Sequence, residues 1–153
     1  MKKILYFCCA LLAVALTTTS CDDNEDDVIV FENTPEVDAA GTYVGTFSRV
    51  QVGAANPDTT YAEGTIVLAE SSPYVAWAQF KCEPFTINTE CHLNIAHSDQ
   101  GFAMSNNLST NTLGAPLFGR IDNDGNTEIH MQLAIRSGRG TKTYNITFVG
   151  RRE

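Results

Sequence analysis

Residues 126–150 read NTEIHMQLAIRSGRGTKTYNITFVG, and this stretch decides the fold. Ile129, Met131, Leu133 and Ile135 alternate with His130, Gln132, Ala134 and Arg136. A period of two sends one set of side chains to a core and the other to water, the mark of a half-buried β-strand. Tyr144, Ile146 and Phe148 alternate with Asn145 and Thr147 in the next run. Between the two runs, Ser137-Gly138-Arg139-Gly140 supplies a glycine-bearing hairpin turn. Just upstream, Asp122-Asn123-Asp124-Gly125-Asn126 joins two further runs, with Asp124-Gly125 as its hairpin signal.

Working outward from this stretch, eight runs read as strands, near 42–52, 61–69, 74–80, 91–97, 101–106, 115–122, 127–136 and 142–150. No segment beyond the first 20 residues sustains a 3.6-residue period. Eight consecutive strands with regular turns predict an all-β, up-and-down antiparallel barrel, because closure removes exposed sheet edges. Trp77, the single tryptophan, shares a face of its run with Val75 and Gln79, while Tyr74, Ala76, Ala78 and Phe80 share the other. The pattern leaves open which of the two faces points inward.

The N-terminus is of another kind. Lys2 and Lys3 precede an apolar run, Ile4 to Leu16, followed by Thr17, Thr18, Thr19, Ser20 and Cys21. Those are the three regions of a secretory signal, and the apolar run is shorter than the roughly 20 residues a spanning helix needs. Cutting before Cys21 would leave that cysteine as a lipidated N-terminus. The expected division is a signal over 1–20, a lipidated acidic linker over 21–40 and a barrel over 41–153. Asp22, Asp23, Glu25, Asp26 and Asp27 follow Cys21 directly and look like the acidic tag that exports lipoproteins to the outer face of the outer membrane. Removing Lys2 and Lys3 takes the formal charge from −8 to −10, and eight acids lie between Asp22 and Asp38. The body that follows is nearly neutral and carries no basic patch, so nucleic acid is not an expected partner. The expected partners are the membrane, through the lipid, and a small apolar ligand; oligomeric state is left open.

Cys82 and Cys91 remain after processing, and an exported chain can bridge two such cysteines. The alternative is a pair of buried free thiols. Asp122, Asp124 and Glu128 lack the spacing of a calcium loop. His92 and His97 fall on opposite faces of one strand, and His130 falls on a polar face. Gly138-Arg139-Gly140-Thr141-Lys142 precedes a strand, unlike a phosphate loop. No metal site, cofactor or catalytic residue is expected, and the chain is not expected to be an enzyme. Asp58-Thr59-Thr60 matches a short O-glycosylation signal with Thr59 as the acceptor.

Three motifs carry a family resemblance: GTYVGTF (Gly41–Phe47), LFGRIDNDGNTEIHMQLAI (Leu117–Ile135) and YNITFVGRR (Tyr144–Arg152). From Gly41 to Arg152 the chain resembles the calycin-like (lipocalin-like) β-barrel domains of small Bacteroidota lipoproteins. The resemblance implies an eight-stranded barrel whose first and last strands pair. Calycins often open with Gly-x-Trp and close with an arginine packed over that tryptophan. Here Gly41-x-Tyr43 and Arg151 are the counterparts, with Arg152 as the neighbouring choice. No particular reaction is implied, because fold does not fix function.

Tyr43, Phe47, Trp77 and Phe148 are the expected lining of a lumen holding an apolar or amphipathic ligand. The rival expectation is a structural or interaction protein with a filled barrel, contacting glycans or proteins through its loops. Small residues around a shared void, Gly45, Ala76 and Ala78 among them, would favour the first; a lumen crowded by large side chains would favour the second.

Overall fold

The computed structural model describes residues 33–106, 115–138 and 140–153. A four-residue helix, α1 (Pro35–Asp38), precedes eight strands: β1 (Gly41–Gln51), β2 (Thr59–Ser72), β3 (Val75–Cys82), β4 (Ile87–Ser98), β5 (Gly101–Asn106), β6 (Leu117–Asp122), β7 (Asn126–Ser137) and β8 (Gly140–Arg152). Each pairs antiparallel with its successor, and β1 pairs with β8 to close the barrel. The up-and-down barrel expected from the alternating runs is therefore the fold, and it is compatible with a calycin-like one.

The hairpin signals act as local chemistry requires. Gly125 sits at φ 81°, a left-handed conformation that glycine adopts without a Cβ penalty. Its N–H donates to Asp122 O at 3.0 Å, and Asp122 Oδ1 accepts from Asp124 N and Asn126 N at 3.0 and 2.8 Å. Between β3 and β4 a short 3-10 turn (Glu83–Phe85) tucks Phe85 into the barrel end.

Inward residues form layers. Tyr43 lies beside Ile66 and Arg152; two residues on, Gly45 lies between Gly64 and Gly150; two further, Phe47 lies between Ala62 and Phe148. The glycine layer does not leave a void. The Phe47 ring leans over Gly64, where an added Cβ would come within 2.6 Å of it, and the Phe148 ring leans over Gly150 in the same way. The two rings meet with centroids 4.8 Å apart. Phe80, Leu93, Ile129 and Ile146 add to the barrel interior, all essentially inaccessible to water.

Residues 33–40, expected to belong to the linker, instead pack across the barrel end where β1 begins. Glu36 and Ala39 are buried. Glu36 Oε2 accepts from the Tyr74 backbone N–H at 2.9 Å, and Glu36 Oε1 accepts from the Thr34 hydroxyl at 2.6 Å. The Tyr43 hydroxyl donates to Ala39 O at 2.7 Å. Arg152 donates from Nη1 to Asp38 O at 2.8 Å and from Nη2 to Ala40 O. These eight residues are a strap that seals one mouth. The expected pairing of Tyr43 with a terminal arginine takes the form of a shared grip: Arg152 is its cross-strand neighbour, and both hold the strap backbone. Arg151 instead pairs with Val44 on the outer face and is exposed.

Candidate functional site

Tyr43, Phe47 and Phe148 face the barrel interior, each with no exposed surface. Trp77 does not. Ala76, Ala78 and Phe80 take the inner positions of β3, so Trp77 faces outward beside Ala69 and His92. Five surface cavities formed by the described residues are lined by none of these four residues.

The disulfide expectation is also corrected. Cys82 and Cys91 are both free and buried. Cys91 is registered opposite Ala78, and Cys82 opposite Ile87. Four residues of strand, roughly 13 Å, therefore separate them, against the 4.4–6.8 Å between Cα atoms that a bridge needs. Burial pushes the Cys91 thiol up to about 11. Burial also raises the Cys82 thiol, against the lowering effects of the Phe85 backbone hydrogen bond and the Arg49 charge.

Thr59 is the first residue of β2 and is exposed beside the 52–58 loop, so it is reachable. Cys21 and the signal lie outside the described residues, as do most of the acidic linker and Arg139 of the β7–β8 turn. Asp122 is occupied by its turn. Hydrogen bonds from the Asn126 side chain, and then from the Asn126 and Asp124 backbone, hold its carboxyl below the usual range against the opposing effect of burial. Among the described residues no group of three metal-ligating side chains converges.

The surface that does gather chemistry is the outer face of β6, β7 and β8. Leu117, Gly119 and Ile121 of β6 point inward, which leaves Phe118 and Arg120 outside. On β7 the outward set is Glu128, His130 and Gln132, and on β8 it is Asn145, Thr147 and Val149. Register aligns them in rows across three strands. Phe118, His130 and Thr147 make the central row, flanked by Arg120, Glu128 and Val149 on one side and by Gln132 and Asn145 on the other.

Each row is internally bonded. Arg120 Nη2 donates to Glu128 Oε2 at 2.9 Å. His130 Nε2 lies 3.1 Å from Glu128 Oε1, and His130 Nδ1 lies 3.2 Å from the Thr147 hydroxyl. The tautomer that satisfies both partners donates from Nε2 to the carboxylate and accepts at Nδ1 from the hydroxyl. Gln132 Nε2 donates to Asn145 Oδ1 at 3.0 Å. The Phe118 ring stacks on the imidazole at 5.0 Å between centroids and 27° between planes, yet stays 59 % exposed. A shallow groove of about 490 Å³ runs along this patch past Pro116.

The order hydroxyl, imidazole, carboxylate is that of a proton relay. Thr147, however, is flanked by His130 of β7 and Ser48 of β1, so it sits inside a continuous ladder. Backbone N–H groups committed to a ladder do not serve an oxyanion. What the bonds do accomplish is to fix the imidazole plane, and with it the platform under Phe118. Sequence reading passed over this site because Phe118 follows Leu117 directly, and adjacent apolar residues do not declare which one faces out.

No protein-family model matches the chain, and searches of curated proteins and of solved structures returned no match.

Proposed function

We propose that this protein is a non-enzymatic interaction module: a filled β-barrel held at the outer membrane by a lipidated Cys21, which engages its partner with the outer face of β6–β8 rather than with its lumen. The observation that carries this reading is the packing of the interior. Phe47 and Phe148 occupy the space above Gly64 and Gly150, and the strap covers the neighbouring mouth. That packing supports the filled-barrel reading. The exposed Phe118, held over a fixed imidazole at the edge of the groove, is the complementary outward feature, since aromatic side chains are enriched at contact surfaces relative to the rest of a protein's exterior. The signal-like start, Cys21 and the acidic run after it support the tether and the surface location.

The test places a photo-crosslinking residue at position 118 in the protein on intact cells, and a second at position 79 on β3, three strands away around the barrel. Capture of envelope material from 118 and none from 79 is the expected result. Equal capture at both, or at neither, overturns the assignment.

A further inference from the structure

We infer that the groove between Phe118 and the Gln132–Asn145 pair binds a sugar ring of an uncharged glycan. The inference rests on the outer-face reading above and names the chemistry of its partner.

Three features of the groove converge on that ligand class. The first is an open aromatic face. Phe118 is 59 % exposed and backed by an imidazole that is itself pinned by Glu128 and Thr147. The electron-rich face of such a ring attracts the weakly positive C–H groups that pyranose rings present on their flat sides. The second is the amide pair. One bond, Gln132 Nε2 to Asn145 Oδ1, fixes the two side chains. Among the described residues the Gln132 carbonyl and the Asn145 amino group make no other side-chain hydrogen bond, so a carbonyl acceptor and an amino donor sit side by side. Sugar hydroxyls both donate and accept, so two neighbouring hydroxyls satisfy that pair together.

The third feature is charge. Pro116, Phe118, Gln132, Asn145 and Thr147 carry none, and both nitrogens of His130 are engaged. The nearest formal charges, Arg120 and Glu128, neutralise each other at 2.9 Å. An acidic or basic ligand finds no counter-ion here. A purely apolar chain would cover the two amides without meeting their hydrogen bonds, and stranding polar groups in that way is unfavourable. A neutral polyhydroxyl ring meets the groove on all three counts, and the groove volume of about 490 Å³ lies within the range of small-molecule sites.

The experiment is calorimetric titration of the purified full-length chain with uncharged oligosaccharides of glucose, galactose, mannose and xylose. Oligogalacturonate and anionic lipid vesicles serve as comparators. Binding of at least one neutral oligosaccharide is expected. Phe118→Ala should weaken it by about tenfold or more, and Gln132→Ala by about threefold or more. Tyr61→Ala, which removes another exposed ring on β2, two strands from β8 and outside the groove lining, should leave affinity unchanged. Failure of every neutral sugar to bind overturns the inference, as does binding that Phe118→Ala leaves intact or Tyr61→Ala abolishes equally. Binding of the comparators alone overturns it too. If the sugars fail while crosslinking from 118 persists, the outer face keeps its role with a different partner. If both fail, both readings fall.

Discussion

At the scale of single residues, the glycine layer and the two aromatic rings are one unit. Gly150→Ala sets a methyl group against the Phe148 ring and the Val44 carbonyl, and Gly64→Ala sets one against Phe47 and the Lys81 carbonyl. Each should destabilise the body by about 1–3 kcal/mol, the usual cost of overpacking, measurable by urea denaturation. Phe148→Leu added to Gly150→Ala should recover part of the loss and not all, because the carbonyl stays in place. The two thiols give a second check. With Cys91 pushed up to about 11 and both sulfurs buried, a charged thiol reagent at pH 8 should leave Cys82 and Cys91 unlabelled until the protein is unfolded. Reductant should leave the melting temperature unmoved, since there is no bridge to cut. Labelling of neither position after unfolding would restore the disulfide.

At the scale of elements, the strap is held by few but well-placed bonds. Tyr43→Phe removes the bond to Ala39 O and should cost about 1 kcal/mol of stability. Burial alone would raise the Glu36 carboxyl. Bonds from the Thr34 hydroxyl and from the Glu36 and Tyr74 backbone N–H groups, with His97 nearby, outweigh it and hold the carboxyl below its usual range. A carboxyl lowered in the folded state stabilises it fully above the unfolded value and loses that contribution as pH falls through the folded value. Hydrogen exchange at Ala39 and Ala40 should therefore quicken as pH drops below about 4 relative to intrinsic rates, and Glu36→Gln should flatten that dependence. A dependence unchanged by Glu36→Gln would dismiss the strap as the titrating element. The strap was also the element least legible in the sequence. Pro35-Glu36-Val37-Asp38 reads as more of the acidic leash, because the partner that makes a buried Glu36 tolerable, the Tyr74 N–H, lies 38 positions away. The strands were legible because period two is a local property, and turns such as Asp124-Gly125 announce themselves within four residues. Trp77 was not, because alanines on one side and a tryptophan on the other leave the inward face undecided until β2 and β4 are in place. The outer site shared that ambiguity at Leu117-Phe118, and its rows exist only through the register of three strands.

At the scale of the whole molecule, the chain separates into a folded body and an acidic N-terminal stretch of different chemistry. If acyl chains on Cys21 provide the attachment, Cys21→Ser should shift the protein from the membrane fraction to the soluble one while its far-ultraviolet spectrum stays that of a β-protein. Retention of the Cys21→Ser chain in membranes would dispose of the lipid tether. The closing seam between β1 and β8 has a consequence in time. The contact of Arg152 with Asp38 joins positions 114 residues apart, and contacts of such separation slow folding because the chain must first surrender the freedom of the whole intervening loop. Polypeptides are synthesised from the N-terminus, so β1 waits with one edge unpaired until the final strand arrives. A chain truncated before Tyr144 would never supply that strand, and its β1 and β7 would remain open to pairing with other copies. Completion of the nine paired residues Tyr144–Arg152 is thus the event that turns an aggregation-prone sheet into a sealed barrel.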